Sequence, residues 1–76
     1  MEAKPHKTFK AGAIEAAVWT NETDRGAFKT VQITRSYKDR AGEWKHSSSL
    51  RVSDLPRATL VLSKAYEYLT MESREA

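Results

Sequence analysis

The sequence predicts an α+β domain, a four-stranded antiparallel meander followed by one C-terminal helix (ββββα). Three observations carry that expectation. Residues 28–38 alternate as a half-buried strand does, with Val31, Ile33, Arg35 and Tyr37 on one face and Thr30, Gln32, Thr34, Ser36 and Lys38 on the other. Asp39-Arg40-Ala41-Gly42 follows, with the chemistry of a type I turn closed by a left-handed glycine, so the next strand should fold back beside it. After residue 54 the apolar spacing changes from two to between three and four, as a helix requires.

Each element has its own local reason. Residues 1–7 carry charge, Pro5 and His6 without periodicity and read as a flexible basic arm. Thr8-Phe9-Lys10 is a short strand ending at Gly12. Residues 13–20 form a second, with Ile14, Ala16 and Val18 on one face and Glu15, Ala17 and Trp19 on the other. Asn21-Glu22-Thr23-Asp24-Arg25-Gly26 is turn-forming throughout and reads as an exposed loop. Residues 44–52 form the fourth strand, Leu50 and Val52 marking its buried face and Lys45, Ser47, Ser49 and Arg51 its exposed one. The same alternation turns Trp44 towards the helix.

Ser53 or Asp54 can cap that helix, and Pro56 falls in its first turn, where a missing N–H is harmless. Leu55, Ala58, Val61, Leu62, Ala65, Tyr66 and Leu69 share a stripe about 140° wide, which should cover the apolar face of the sheet. Leu60 and Met71 lie nearly opposite, with Tyr68 between the two faces. The domain therefore spans residues 8–72, with a tail at 73–76.

With 76 residues and 39% hydrophobic residues, the chain has material for one thin core. Zero cysteines exclude a disulfide framework and thiolate metal sites and suit a reducing compartment. No apolar run reaches the roughly 18 residues of a membrane span, so a cytoplasmic or nucleoid-associated protein is expected. Charge is uneven: residues 1–53 carry ten Lys/Arg against six acids, and residues 54–76 carry three against four. A one-sided basic surplus points to a polyanion.

The signals of enzyme chemistry are poor. There are two histidines, no phosphate-cradling glycine loop and no calcium-loop spacing in Asn21, Glu22 and Asp24. Nor is an acid placed to orient His46 beside its serines. No catalytic residue, metal or cofactor is expected. The polar sheet face is richer. Trp19 offers a stacking surface, Gln32 and Thr34 offer hydrogen bonds, and Lys10, Lys38, Lys45 and Arg51 offer phosphate contacts. An exposed aromatic on a sheet suits single strands, whose base faces are free, better than duplex DNA.

The run Tyr37-Lys38-Asp39-Arg40-Ala41-Gly42-Glu43-Trp44-Lys45, followed by Ser49-Leu50-Arg51-Val52 and Ser53-Asp54-Leu55-Pro56, resembles the transcriptional positive-cofactor family and its Whirly-like relatives. The pattern covers about residues 8–70 and is tight only from 37 to 56. The chain also resembles small prokaryotic and phage proteins that share the Tyr-Lys-Asp and Gly-Glu-Trp-Lys runs, a likeness that implies no function. The first resemblance implies dimers that bind single-stranded DNA along their sheets with little sequence preference. It adds Arg40 and Trp44 to the contacts and supports Lys38, Lys45 and Arg51. A bulge at Gly42 would reconcile Trp44 with that role. The loop at 21–26 and the Leu-Pro helix opening depart from the family pattern.

The expectation is thus a homodimer that binds single-stranded DNA or RNA through a basic, tryptophan-bearing sheet face. Leu60, Tyr68 and Met71 form its dimer contact. The alternative is a protein-interaction module that binds no nucleic acid.

Overall fold

Four strands and one helix follow one another in the computed structural model, which describes residues 5–72. They are β1 (Lys7–Ala11), β2 (Ile14–Thr23), β3 (Gly26–Lys38) and β4 (Trp44–Ser47), then a 3-10 turn (Val52–Asp54) and α1 (Leu55–Glu72). The strands lie in sequence order, every neighbouring pair antiparallel. The ββββα arrangement is as the alternation and the period change predict.

Tight hairpins set the registers. Gly12, at φ 61°, and Ala13 connect Ala11 to Ile14. A positive φ at the first turn residue alone fits a type II′ turn, whose twist matches that of the strands. Residues 21–26, expected as an exposed loop, are instead mostly strand. β2 runs to Thr23 and pairs with Gly26, leaving only Asp24 and Arg25 as the turn. The Thr23 hydroxyl closes it, donating to the Gly26 carbonyl and accepting from the Arg25 N–H. Farther back, the Asn21 amide donates to Thr30 Oγ1 across the ribbon. Local turn preference loses here to cross-strand pairing. β1 also starts earlier than expected, within the predicted arm: His6 N–H donates to the Val18 carbonyl and Lys7 opens the strand, while residues 1–4 of the arm and the tail at 73–76 lie outside the described residues.

Register assigns the faces. Lys7, Phe9 and Ala11 of β1, Ile14, Ala16 and Val18 of β2, and Val31, Ile33, Arg35 and Tyr37 of β3 share one side. α1 packs on that side, chiefly over β1 and β2. Ile14, Ala16, Ala58 and Val61 form the buried centre, with Phe9, Ala11, Ile33 and Leu50 packed around it. Ala16 and Ala58 leave room for helix and strand to approach closely, and Ala65 and Val18 extend the buried line.

Two expectations about burial need correction. Ala58, Val61 and Ala65 are buried as the stripe requires, but Leu55, Leu62 and Tyr66 are exposed. Tyr68 packs edge-on against Phe9 and Arg57 lies beside Gly12, so that flank of α1 overhangs β1. The Leu55, Leu62 and Tyr66 flank is therefore turned towards β3, which the helix barely reaches. Val52, expected on a buried strand face, is 84% exposed, because β4 ends at Ser47 and the chain leaves the sheet there.

Arg35 anchors the departing segment. Its Nε donates to the Ser49 carbonyl at 3.1 Å and stands 3.6 Å from Asp54 Oδ2, which in turn accepts the Arg51 N–H at 2.9 Å. β3 is thereby tied to the start of α1, and Asp54 is the residue that shapes the helix entry. Ile14 is fully buried at the centre of this small core. Ile14→Ala is expected to cost about 2–5 kcal/mol, a large part of the stability a domain this size possesses. Urea unfolding of the two chains checks it; a loss below about 1 kcal/mol would mean the site collapses without a cavity.

Candidate nucleic-acid interface

The side of the sheet away from α1 is open across all four strands. By register it presents Thr8 and Lys10 from β1, and Glu15, Ala17, Trp19 and Asn21 from β2. β3 adds Phe28, Thr30, Gln32, Thr34, Ser36 and Lys38, and β4 adds Trp44 and His46. Of the expected contacts, Lys10, Trp19, Gln32, Thr34, Lys38 and Trp44 are thus brought to one surface.

Trp44 reaches it through the turn. Gly42 N–H donates to the Asp39 carbonyl and Asp39 N–H to the Glu43 carbonyl, with Gly42 at φ 82°. This is the type I turn with a left-handed glycine that the sequence predicts, and it sets Trp44 opposite Lys38. The alternation drawn back from Leu50 and Val52 fails instead at the strand end. Ser47 Oγ accepts the Ser49 N–H at 3.0 Å, the chain bends at Ser48, and the parity of residues 50–52 no longer applies to residue 44. Trp44 is 63% exposed, and Lys38 Nζ lies 5.5 Å from its ring centroid. An indole and a cation therefore stand together at one end of the face. Beside them the Ser36 hydroxyl pairs with His46 Nδ1 at 3.1 Å.

The same reversal removes Lys45 and Ser47 from the open face. Lys45 pairs with Tyr37 on the helix side and lies 3.9 Å from Asp39 Oδ2 and 4.0 Å from Glu43 Oε1. Ser49 and Arg51 fall beyond β4, and Arg51 leads into the 3-10 turn. Arg40 is exposed on the turn, at the edge of the face. Trp19 lies on the face as expected but is half-buried, and its indole Nε1 is covered without a hydrogen-bond partner. It is a poorer stacking surface than Trp44.

The face is consequently not the basic sheet that the charge count foretold. It holds Lys10 and Lys38 against Glu15, among neutral hydroxyls and amides. The cations Lys7, Lys29, Arg35 and Lys45 belong to the other side of the sheet. Two residues of the face were not among the expected contacts. Phe28 is an exposed aromatic opposite Asn21, and His46 stands next to Trp44; both follow from even-numbered parity along β3 and β4 once the turn is fixed. Trp44, Trp19 and Phe28 are thus spread along the length of β3, about 33 Å from position 28 to position 38.

No protein-family model, curated protein or solved structure matches the chain. Among the described residues no pocket opens and no three His, Asp or Glu side chains gather to hold a metal. No described helix is long and apolar enough to cross a membrane.

Asp39 is the residue on which the placement of Trp44 rests. Its Oδ1 accepts N–H groups from both Ala41 and Glu43 at 2.9 Å. Asp39→Ala is expected to cost about 1–3 kcal/mol, and Asp39→Asn, which keeps an acceptor oxygen, clearly less. Thermal unfolding of the pair checks this; equal losses would mean that the carboxylate acts through Lys45 rather than through the turn.

Proposed function

We propose that the chain binds single-stranded nucleic acid, DNA favoured over RNA, on the open face of its sheet, with little sequence preference. The observation that carries the reading is Trp44, an exposed indole held beside Lys38 on a flat polar surface. A base stacks on the ring, the ammonium meets a neighbouring phosphate, and Ser36, Thr34 and Gln32 continue the strip with hydrogen-bonding groups. Such stacking tolerates any base, because every base has a π-face. The resemblance of residues 37–56 to the positive-cofactor family leads the same way. With it come a homodimer, a transcription-coactivator-like or replication and repair role, and a cytoplasmic or nucleoid-associated location.

Because few cations line the face, stacking outweighs charge in this account. Lys10, Lys38 and Arg40 neutralise two or three phosphates, so log K should fall with log salt at a slope of about −1.5 to −2. Trp44→Ala should weaken binding of a single-stranded oligomer by about 1–3 kcal/mol and leave that slope unchanged. Lys38→Ala should flatten it by about 0.7. Fluorescence-anisotropy titrations over a salt series read all three quantities, with duplex and RNA oligomers as comparison. Absence of binding at low salt, or a Trp44→Ala variant that binds as the parent does, would overturn the reading.

A further inference from the structure

β3 is much longer than the strand on its outer side. β2 pairs with it from Gly26 to Arg35, but β4 pairs only from Arg35 to Lys38, because the chain bends away after Ser47. Hydrogen bonding alternates along an antiparallel strand, and two contacts fix the parity here. Ser36 N–H donates to the Ala13 carbonyl, so the even-numbered residues of β3 bond to β2; Asp39 N–H donates to the Glu43 carbonyl, so the odd-numbered ones face the β4 side. Beyond Ser47 that side is empty. Ile33 is half-buried, with Leu50 packed in the same cluster, but Ala27, Lys29 and Val31 are exposed. Among the described residues nothing pairs with their outward main-chain groups. The register runs unbroken through this stretch, with no bulge and no proline, so the edge has the straightness that a further strand needs.

We propose that this edge of β3 takes an extended acidic segment of another protein as an added strand, antiparallel to β3 in the lane that β4 vacates. The inference stands whether or not the open face binds nucleic acid. N–H and C=O groups recurring about every 7 Å along an edge are matched only by another extended backbone. Side chains of the added strand that stand opposite odd-numbered residues point to the helix side. There Val31 is 38% exposed, and the exposed Leu62 and Tyr66 flank of α1 is turned towards it, so an apolar residue fits opposite Val31.

Charge selects the rest of the segment. Three cations lie on the helix side of β3 and β4, and two are engaged. Arg35 holds Ser49 and Asp54, and Lys45 lies by Asp39 and Glu43. Lys29 has no ion pair among the described residues, even with Glu22, its diagonal neighbour on β2. A lysine on an edge deters strands of like charge and favours an acid opposite it. The described strands that form the sheet edges cannot supply that acid. On the helix side β1 presents Lys7, Phe9 and Ala11, the free stretch of β3 presents Lys29 itself, and β4 presents Lys45 and Ser47. A second copy is thus a poor match, and a foreign acidic strand a good one.

Amide hydrogen exchange of the full chain, followed by NMR with and without a peptide, tests the proposal. The probe is Val-Thr-Ile-Thr-Glu-Thr-Glu, blocked at both ends, which sets its Ile opposite Val31 and its first Glu opposite Lys29. In the free chain the amides of Ala27, Lys29 and Val31 should exchange fast, and those of Phe28 and Thr30, bonded to β2, slowly. The probe at about 1 mM should slow the odd-numbered set about tenfold or more and the even-numbered set by less. Methylating the Ile nitrogen removes the donor to the Val31 carbonyl without touching the protein, and should weaken binding about tenfold. Lys29→Glu should weaken the probe, and strengthen its counterpart with Lys for both Glu, about threefold each. Unchanged exchange, protection that ignores parity, an N-methylated peptide that binds like the parent, or indifference of Lys29→Glu to peptide charge overturns the proposal. So does an odd-numbered set already protected in the free chain, which would assign the edge to a second copy.

Discussion

An α-helix is about 10 Å across and neighbouring strands are about 4.8 Å apart, so one helix covers about two strands. This chain has four strands and one helix. Everything else in the structure follows from that mismatch. The helix settles on β1 and β2, where Ala16, Ala58 and Ala65 let it approach, and the core is correspondingly thin, with Ile14 and Val18 the largest fully buried side chains. The helix side of β3 and β4 is left without a layer of its own. Part of that gap is managed within the chain by Arg35, which lies over Tyr37 with its guanidinium carbon 4.9 Å from the ring centroid and holds the segment leading to the helix. The rest, from Val31 to Tyr66, is apolar and open.

The two sides of the sheet consequently have different chemistry. On the helix side, the uncovered surface sets the apolar Val31, Leu62 and Tyr66 among the cations Lys29 and Lys45. On the open side, hydroxyls and amides surround Trp44, Lys38 and His46, and the exposed aromatics Trp44 and Phe28 stand far apart along β3. One side of the single sheet serves cohesion, and the other is left open. The division also explains why the basic surplus of the sequence does not lie on the open face. Lys7, Lys29, Arg35 and Lys45 alternate onto the helix side because strand parity, and not charge, decides where they point.

Much of this was legible in the sequence. The strand alternation at residues 28–38, the turn at 39–42 and the change of period after residue 54 define the order ββββα, and each is a local signal with one physical reading. What was not legible depends on distant partners. Asn21, Glu22 and Thr23 have loop propensities, and only pairing with Phe28, Ala27 and Gly26 makes them strand. The turn held by Asp39 sets the side on which Trp44 and Lys45 emerge, and the bend at Ser47 Oγ breaks the alternation that Leu50 and Val52 suggest for them. The helix stripe was read as if the sheet beneath it were wide enough to bury all seven residues; Leu55, Leu62 and Tyr66 are exposed because it is covered only in part.

The central claim is that nucleic-acid binding belongs to the open face and to no other surface. Heteronuclear NMR of the labelled chain, titrated with a short single-stranded DNA oligomer, tests it most directly. The account predicts shifts concentrated at the Trp44 indole and at Lys38, Ser36, His46, Thr34 and Gln32, with the backbone of Leu62 and Tyr66 unmoved. Shifts centred on the helix flank or on Lys7, Lys29 and Lys45, or none at saturating oligomer, would contradict it.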